Sequence, residues 1–368
     1  MIGIGVLGTG SVFWSSYRPQ IERLNRTGRV DLRAVYDVDE ARRRAVTDRL
    51  GLADDCPTEA ALMKRDDVDL VMVLTSMPHH GRLAIAAMDA GKHVLVEKPM
   101  ATTLKEAAEL VGIASDGRSK LVCAPHVLLA PTYREMWQRT RAGVIGDLHL
   151  ARARYGWSGP WWGPWFYREG GGALFDLGCY NVTSLCGFLG SVRRVSAMMG
   201  IRIPRRKVDG ELVDVEVDDN VQLMFDHGDS RFSTVMTGFT LQSYRSPAIE
   251  LYGSSGSMQM LGHDWAPEGF EQWRNEAGVW EVVPETNPHW HWTSGFEHLV
   301  DQLEAGGETL TRPEHAYHAL EVMLAAKRSS DEGRVVEIES EFPQPEYSRL
   351  PVVPPERGYL HDPRMVTE

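Results

Sequence analysis

The chain has few cysteines, no long apolar run and no excess of positive charge. Only four cysteines occur among 368 residues and none forms a Cys-x-x-Cys pair, so the sequence indicates neither a zinc site nor a disulfide framework. Buried, reduced thiols are typical of the cytoplasm, which is the expected location. No apolar segment approaches the roughly 20 residues that a membrane span needs, and the amino-terminal residues are not a charged-then-apolar export signal.

Acidic residues outnumber basic ones by 51 to 39, which gives a formal net charge of −12. Proteins that bind a phosphate backbone or an anionic membrane need a basic excess to replace counterions, so neither a nucleic-acid nor a membrane partner is expected. The composition, 43% hydrophobic and 24% charged, is ordinary for a globular protein. The length is sufficient for two domains, each with its own core.

The first third of the chain alternates strands with helices. Strands rich in apolar residues are predicted over Ile2–Leu7, Val30–Tyr36, Leu70–Leu74, His93–Val96 and Lys120–Ala124. Helices are predicted over about Trp14–Asn25, Asp39–Leu50, Thr58–Lys64, Gly81–Ala90 and Thr103–Ala114. Buried parallel strands joined by right-handed helical crossovers predict a doubly wound α/β domain over residues 1–124.

Beyond about residue 125 the apolar residues recur with period two. Alternating segments cover Leu148–Tyr155, Arg194–Ile203, Asp219–Asp226, Arg231–Leu241 and Ala248–Tyr252, with helices predicted at Thr132–Ala142, Ser294–Glu304 and Pro313–Ser330. This pattern predicts an α+β domain over residues 125–340 with a large, mostly antiparallel open sheet. Residues 341–368 form a Pro-rich tail that we expect to be extended, on its own domain or on a neighbouring subunit.

A glycine-rich turn follows the first strand. Gly8 and Gly10 permit a tight turn and close approach of the backbone to a pyrophosphate, and the start of the next helix attracts an anion. The predicted cofactor contacts in this turn are Gly8, Thr9, Gly10, Ser11 and Val12. Phe13 occupies the third glycine position of the dinucleotide-binding pattern, which predicts a looser helix–strand contact or a shifted helix start.

Asp37 ends the second strand, where a carboxylate accepts hydrogen bonds from the adenosine ribose and repels a 2′-phosphate. The sequence therefore predicts NAD in preference to NADP. Arg42, Arg43 and Arg44 follow closely, and they keep phosphate binding open as the less favoured alternative.

The fourth strand runs into Glu97-Lys98-Pro99. Hydride transfer requires the substrate carbon about 3–3.5 Å from the nicotinamide and a group that takes the hydroxyl proton. Beside a positively charged nicotinamide in a partly dry cleft, the ammonium form of Lys98 is disfavoured. Lys98 is therefore a candidate base, and a snorkelling surface lysine is the alternative.

A second cluster begins at the triple glycine Gly170-Gly171-Gly172 and is predicted to enter a helix. Asp176 and Tyr180 are four residues apart, so they share one helical face. We expect the carboxylate to orient Lys98 across an interdomain cleft and the phenol to pass a proton. A helix cap and a core tyrosine are the alternative interpretation.

Three stretches are similar to the Gfo/Idh/MocA oxidoreductase family: Gly8-Thr9-Gly10, the run from Ala90 to Pro99, and the run from Gly170 to Gly178. The resemblance covers about residues 1–340. It implies a Rossmann domain followed by a domain whose open sheet commonly makes oligomer contacts, and hence a homodimer or homotetramer. It also implies NAD or NADP and a sugar, cyclitol or related polyol substrate.

The same resemblance implies roles for single residues. It makes Lys98 the catalytic lysine and Asp176 its partner. Many members carry His where this chain has Tyr180, and branches acting on aldoses and dihydrodiols carry Tyr, so Lys98 or Tyr180 transfers the proton. The residues implied to contact the nicotinamide half of the cofactor are Thr75, Ser76 and His80, and the remaining predicted cofactor contacts are Glu97 and Lys98.

An aromatic loop between Tyr155 and Arg168 precedes the second cluster. It holds four of the eleven tryptophans, namely Trp157, Trp161, Trp162 and Trp165. Indole faces pack against the C–H faces of sugar rings, and glycine and proline fix a loop as a pocket wall requires. The loop predicts a carbohydrate or glycoside pocket that includes Tyr155, with a satellite hydrophobic cluster as the alternative. Arg168 is a candidate for binding an anionic substituent of the substrate, and a plain surface charge is the alternative.

Two histidines complete the predicted substrate side. His126 follows the last strand of the first domain and is expected to reach the cleft, and His291 lies in a His-Trp-His-Trp segment that is a candidate lid or partner-contributed wall. A packed histidine is the alternative for each, and no metal site is predicted.

The leading hypothesis is an NAD-dependent dehydrogenase that oxidises a secondary hydroxyl of a sugar, cyclitol or glycoside. The alternative is a redox-neutral glycosidase that oxidises C3, eliminates the leaving group, adds water and returns the hydride. A non-catalytic NAD-sensing protein is the third possibility.

Overall fold

The computed structural model describes residues 1–52, 56–287 and 289–347. Its backbone divides into two compact units. The first unit comprises Met1–His126 and Thr293–Leu320, and the second comprises Val127–Trp292 and the described residues from Glu321 onward. The segment Thr293–Leu320 thus packs with the first unit, whereas the sequence analysis places it in the second domain. The domain limits themselves stay predictions.

The first unit is built around a parallel sheet. Its strands are β1 (Ile2–Leu7), β2 (Val30–Tyr36), β3 (Leu70–Val73), β4 (His93–Val96) and β5 (Leu121–Cys123). The helices among them are α1 (Arg18–Arg26), α2 (Glu40–Leu50), α3 (Glu59–Met63), α4 (His80–Asp89) and α5 (Leu104–Ser115). The strand order is β2-β1-β3-β4-β5, and every neighbouring pair is parallel. The predicted doubly wound sheet is confirmed.

Burial and capping explain these elements. All four residues of β3 are 0% exposed, as expected for a parallel strand covered on both faces. The side chains of Asp39 and Thr103 accept hydrogen bonds from the first turns of α2 and α5, which satisfies amides that the helices leave unpaired. Because β1 lies between β2 and β3, the winding direction switches at the carboxyl ends of β1 and β3, the usual ligand position in such sheets.

The remaining elements start with α6 (Pro131–Arg141), β6 (Leu148–Gly156) and α7 (Cys179–Leu189). They continue with β7 (Arg194–Gly200), β8 (Arg205–Val208), β9 (Glu211–Asp214), β10 (Asn220–Asp226), β11 (Phe232–Gly238), β12 (Ile249–Gly253), β13 (Gly256–His263), β14 (Ala266–Arg274) and β15 (Trp280–Pro284). The last elements are α8 (Gly295–Ala305), α9 (Pro313–Glu332) and β16 (Val336–Glu337).

A nine-stranded sheet dominates the second unit, in the order β15-β14-β13-β12-β6-β11-β10-β7-β16. Among the described pairs only β6 and β11 run parallel, so the predicted mostly antiparallel sheet is confirmed. Strands β8 and β9 form a separate hairpin. Every residue of α7 is buried, and this helix packs against β6 and β11.

One face of the nine-stranded sheet carries exposed apolar side chains. Cross-strand register places Leu150, Met198, Met224 and Phe232 on the same face, and they are 44%, 80%, 58% and 41% exposed. Such a patch is typical of a protein contact surface. The homo-oligomer implied by the family resemblance stays a prediction.

The described part of the predicted tail lies on the second unit. The hydroxyl of Tyr347 donates to the carbonyl of Leu128, and the amide of Phe342 donates to Ser191 Oγ at 2.8 Å. Residues 348–368 of the tail lie outside the described residues. Within residues 1–52, 56–287 and 289–347, no helix is long and apolar enough to cross a membrane. All four cysteines are buried, and none forms a disulfide in the described part of the chain.

Candidate functional site

The glycine turn after β1 is tied to the end of β2. Asp37 Oδ2 accepts hydrogen bonds from the amide of Thr9 at 2.7 Å and from its hydroxyl at 3.0 Å. The other carboxylate oxygen accepts from the amide of Asp39 at 3.0 Å, and Asp37 is 6% exposed. The helix that follows the turn begins at Ser11. One acidic side chain therefore fixes the shape of the turn that was predicted to bind the cofactor.

Glycine occupies the two positions of the turn for different structural reasons. Gly8 has φ +93°, and a Cβ there would lie 2.7 Å from the carbonyl oxygen of Leu74. Gly10 has ordinary φ, and a Cβ there would meet nothing within 4 Å. The turn needs Gly8 for its own backbone, whereas the space over Gly10 is open and suits the close approach of a pyrophosphate.

This difference gives a testable pair of variants. We expect Gly10→Val to raise the NAD Kd by about tenfold or more because its side chain fills the space for the pyrophosphate. Its Tm should stay near the wild-type value. We expect Gly8→Ala to lower stability by about 1–3 kcal/mol because the added Cβ is strained and meets a carbonyl. Calorimetry and NADH fluorescence titration measure both effects, and equal Tm losses in the two variants would contradict the distinction.

The position of Phe13 is accommodated by a change of helix type. Phe13–Tyr17 form a π-helical turn that leads into α1, and Phe13 is fully buried in the core of the first unit. The predicted helix over Trp14–Asn25 is thus present, with a widened first turn. Widened turns of this kind are frequent at functional sites.

The same turn supports the segment that carries Lys98. The hydroxyl of Tyr17 donates to Glu97 Oε1 at 2.7 Å, with both groups buried, and Glu97 Oε2 accepts from the amide of Lys98 at 3.2 Å. Burial, reinforced by the charge and hydrogen bond of Glu97, raises the pKa of Tyr17 well above its ordinary value. Tyr17 therefore stays an O–H donor and holds Glu97. Lys98 itself is half-buried.

His80 joins two loops at the carboxyl end of the sheet. Its Nδ1 lies 2.8 Å from the carbonyl oxygen of Pro99, and its Nε2 lies 2.9 Å from that of Thr75. His80 is 1% exposed, and burial is the main cause that lowers its pKa. Its ring thus connects the loop after β3, which includes the half-buried Ser76, to the segment that carries Lys98. Cofactor contact by Thr75, Ser76 and His80 stays a prediction.

His126 is packed inside the first unit. It is 1% exposed, and a Cβ at Gly295, the first residue of α8, would lie 2.2 Å from its Nδ1. Burial and the nearby His298 lower the pKa of His126 to about 3, so the ring is neutral. Neither ring nitrogen has a hydrogen-bond partner among the described residues. The structure gives His126 a packing role, and its predicted contact with substrate is untested.

In the second unit, three predicted residues lie together. A π-helical turn over Leu174–Gly178 carries the half-buried Asp176 and continues into α7. Tyr180, on α7, is 7% exposed, and its ring meets that of Tyr155 edge to face at 5.6 Å. Burial raises the pKa of Tyr155 well above its ordinary value, and the carboxylates of Asp176 and Asp264 add to the effect. The phenol of Tyr155 therefore stays protonated.

The triple glycine positions this turn beneath the aromatic loop. A Cβ at Gly171 would lie 2.5 Å from the carbonyl oxygen of Trp165, and Gly172 has φ +98°. The amide of Gly172 donates to the carbonyl of Phe166 at 2.8 Å. Only glycine permits this close approach of the two backbones. The approach fixes the start of the turn that carries Asp176 against the backbone of the aromatic loop.

The tryptophans of the loop form one cluster with exposed indoles. Ring centroids of Trp161 and Trp162 lie 4.7 Å apart, and those of Trp157 and Trp162 lie 5.7 Å apart. Trp161 is 67% exposed and Trp162 is 37% exposed, whereas Trp165 stacks on Phe166 at 3.7 Å. Arg168 is exposed and stands outside these ring contacts. The loop thus presents large apolar faces to solvent.

Hydrogen bonds from the β8–β9 hairpin hold this loop. The amide of Asp209 donates to the carbonyl of Trp161 at 2.8 Å, and Asp209 Oδ2 accepts from the amide of Gly163 at 3.1 Å. Arg206 donates to the carbonyl of Ser158 at 2.5 Å and pairs with the buried Asp219 at 2.9 Å. The backbone that carries the exposed indoles is therefore fixed in place, as a preformed binding wall requires.

The histidine-rich segment before Thr293 carries the last predicted substrate residue, His291. His291 is half-buried, with its ring 5.6 Å from that of Trp292, and burial lowers its pKa. No group of three or more His, Cys, Asp or Glu residues in the described parts of the chain is placed to hold a metal ion. The predicted contact of His291 with substrate is untested.

Sequence reasoning missed several supporting residues. Tyr17 contacts a residue 80 positions away, and Asn181 contacts Asp264 83 positions away. Arg206 lies in a hairpin that was not predicted. Tyr17 and Asn181 adjoin recognised motifs, and this proximity is the only signal that the sequence offers for them.

Two family models match the chain in succession. Residues 2–123 match the oxidoreductase family with an NAD-binding Rossmann fold, and residues 133–259 match the GFO/IDH/MocA C-terminal domain. The fold and the glycine turn thus agree with a family of oxidoreductases that have an NAD-binding Rossmann fold. The chain belongs to the Gfo/Idh/MocA family, as the sequence resemblance implied.

Known proteins resemble parts of the chain. A dTDP-3,4-didehydro-2,6-dideoxy-alpha-D-glucose 3-reductase from Actinomadura kijaniata is 31% identical over 52% of this chain and 57% of its own length. A glycosyl hydrolase family 109 protein from Solibacter usitatus is 34% identical over 42% of this chain and 37% of its own length. The matches thus span little more than half of these curated relatives at most.

A solved structure extends the likeness in fold. The aldose-aldose oxidoreductase from Caulobacter crescentus matches with a TM-score of 0.78 over 92% of this chain and 99% of that chain. The two sequences are 20% identical, so this likeness concerns the fold alone.

Proposed function

We propose that the protein is an NAD-dependent dehydrogenase that oxidises a secondary hydroxyl of a sugar, cyclitol or glycoside. The observation that carries the proposal is the first unit's arrangement of a dinucleotide turn, closed by Asp37, and a lysine segment held by Tyr17 and Glu97. The similarity to a sugar 3-reductase supports a carbohydrate substrate.

The residues present fit NAD. The open space over Gly10 admits a pyrophosphate, and the buried carboxylate of Asp37 disfavours a phosphate on the adjacent ribose. Arg42 pairs with Asp39, which caps α2, and Arg44 pairs with Glu40 in the first turn of that helix. Arg43 donates to the carbonyl of Asp37 at 3.0 Å. NAD is therefore preferred to NADP in this proposal.

NAD, when bound, accepts the hydride from the substrate carbon. The chain must then remove the hydroxyl proton, and we assign this role to Lys98, whose backbone is fixed through Glu97. We assign to Asp176 the orientation of the reacting groups. Tyr180 is the competing proton-transfer group because it is a phenol in the same helical segment as Asp176.

The aromatic cluster supports a ring-shaped substrate. Fixed, exposed indole faces pack against the C–H faces of sugars and contribute about 1 kcal/mol or more per ring. We expect Trp161→Ala to raise KM for the sugar about tenfold with little change in kcat, because this indole is far more exposed than a packing role requires. Trp280→Ala removes another exposed indole, 45% exposed on β15, and is the control. An unchanged KM in Trp161→Ala would exclude Trp161 from the substrate site.

The direct test is incubation of the protein with NAD⁺ and a panel of sugars, cyclitols and aryl glycosides. NADH absorbance and product masses are followed together. Formation of NADH with a product lighter by two hydrogens supports the dehydrogenase and identifies the substrate class. Absence of turnover across the panel with both NAD⁺ and NADP⁺ argues against it.

A second candidate is the redox-neutral glycosidase. The exposed Trp161 and Trp162 favour a substrate with more than one ring, and the family 109 glycosyl hydrolase shares similarity over part of the chain. In the same assay, this function gives free sugar and aglycone without net NADH, and the NAD remains with the protein.

A further inference from the structure

A buried carboxyl group lies in the turn that joins β13 to β14. Asp264 is 2% exposed, although hairpin turns usually place polar residues in solvent. Its Oδ2 accepts a hydrogen bond from Asn181 Nδ2 at 2.7 Å. Asn181 is fully buried on α7, directly after Tyr180. The turn is therefore anchored to the helix that continues from Asp176.

This pair leaves two buried oxygens without a donor. Asp264 Oδ1 and Asn181 Oδ1 are both inaccessible, and neither has a hydrogen-bond partner among the described residues. Each unsatisfied buried acceptor costs about 1–3 kcal/mol. The two oxygens belong to the same carboxyl and the same amide that already share one hydrogen bond. A proton on the carboxyl would supply the donor that joins them.

The surroundings favour that proton. The titratable groups that face Asp264 are the phenols of Tyr155, on β6, and Tyr244, and Asp264 adds to the raised pKa of both. Arg154 lies beyond Tyr244, over its ring at 5.6 Å, and His263 stacks on Trp265 beside the turn. Burial raises the pKa of Asp264 to about 7. Hydrogen bonds from Asn181 and from the backbone of Trp265 and Asp264 itself act in the opposite direction, and no cation is among the causes.

We propose that Asp264 is a positioning residue that acts as a neutral carboxylic acid. Its carboxyl and the amide of Asn181 form a reciprocal pair, in which each group donates one hydrogen bond and accepts one. The pair fixes α7, and with it Asp176 and Tyr180, against Tyr155. Its effect on turnover rests on the proposed dehydrogenase function, whereas its effect on stability does not.

The pair has a defined pH dependence. The pKa of Asp264 in the folded protein, about 7, lies above the ordinary value of about 4 for an unfolded chain. Between these values the folded state holds a proton that the unfolded state has released, so stability falls as pH rises through this window. Asp264→Asn keeps an amide that both donates and accepts, and it has no proton to lose.

The test compares Asp264→Asn with wild type by calorimetry at about pH 4.5 and about pH 8.5. We expect Tm values that differ little at the lower pH, and a Tm several degrees higher for the variant at the higher pH. Asp147→Asn, which alters an exposed carboxylate of the same unit, should show no such difference. A variant that is less stable than wild type at the higher pH would overturn the neutral pair.

Kinetics then tests positioning with the substrate from the panel. We expect the ratio of kcat in Asp264→Asn to kcat in wild type to rise severalfold between about pH 6 and about pH 8.5 as the wild-type pair ionises. Asp264→Ala should lower kcat more than it raises KM, with NADH affinity unchanged, and Asp264→Asn should restore kcat. If Asp264→Asn is as impaired as Asp264→Ala, the carboxylate charge itself is required and the proposal fails. If no compound of the panel is turned over, the comparison of Tm values at the two pH values still tests whether Asp264 and Asn181 form the reciprocal pair.

Discussion

Lys98→Met should lower kcat by about 10³-fold or more, because a general base typically contributes 10²–10⁴-fold to a proton transfer. Methionine keeps the length and packing of the side chain but provides no group to take the hydroxyl proton. NADH affinity and Tm should remain close to wild type, because the variant keeps the hydrogen bonds that Glu97 accepts from Tyr17 and from the backbone amide of residue 98.

The control for this variant is Lys92→Met. Lys92 is a second lysine of the first unit, and its Nζ donates to the carbonyl of Arg65 at 2.8 Å, away from the glycine turn. The Lys92→Met variant should be somewhat less stable than wild type without loss of kcat. Tyr180→Phe separates the two candidate bases, since it removes only the phenolic oxygen. Near-normal turnover in Lys98→Met with severe loss in Tyr180→Phe would move the proton transfer to Tyr180.

The parallel sheet was predictable because its signal is local. Strands buried on both faces are continuous apolar runs, and the predicted bounds of Ile2–Leu7, Val30–Tyr36 and His93–Val96 agree with β1, β2 and β4. The cofactor turn was predictable because its signal is local as well. Gly8 directly follows β1, and Asp37 directly follows β2.

The second unit was harder to predict because its pairings are not sequential. The sheet places β6 beside β11 and β12, and no local pattern specifies this order. Strands β13 to β15 and the β8–β9 hairpin were not predicted. Asp264 appears in the sequence as an ordinary turn residue, and its burial depends on Asn181, which is 83 positions away. Supporting residues of this kind require the tertiary structure.

Asp37→Ser should shift the cofactor preference from NAD toward NADP, with a change of about 10²-fold in the ratio of kcat/KM values. The carboxylate repels a 2′-phosphate and accepts hydrogen bonds from the ribose, and serine does neither to the same degree. Arg43 donates to the backbone carbonyl of residue 37 at 3.0 Å, and it is the cation that we expect to bind such a phosphate. Adding Arg43→Ala to Asp37→Ser should therefore remove most of the gain with NADP.

The structural role of Asp37 requires a second variant. Because its Oδ2 accepts two hydrogen bonds from Thr9, Asp37→Ser also loosens the glycine turn and should lower affinity for both cofactors. Asp37→Asn keeps an oxygen acceptor for Thr9 and removes only the charge, so it should preserve Tm and relax the preference partway. If both variants lose NAD and NADP activity equally, Asp37 acts through the turn alone. Selection between the cofactors would then have to come from other residues.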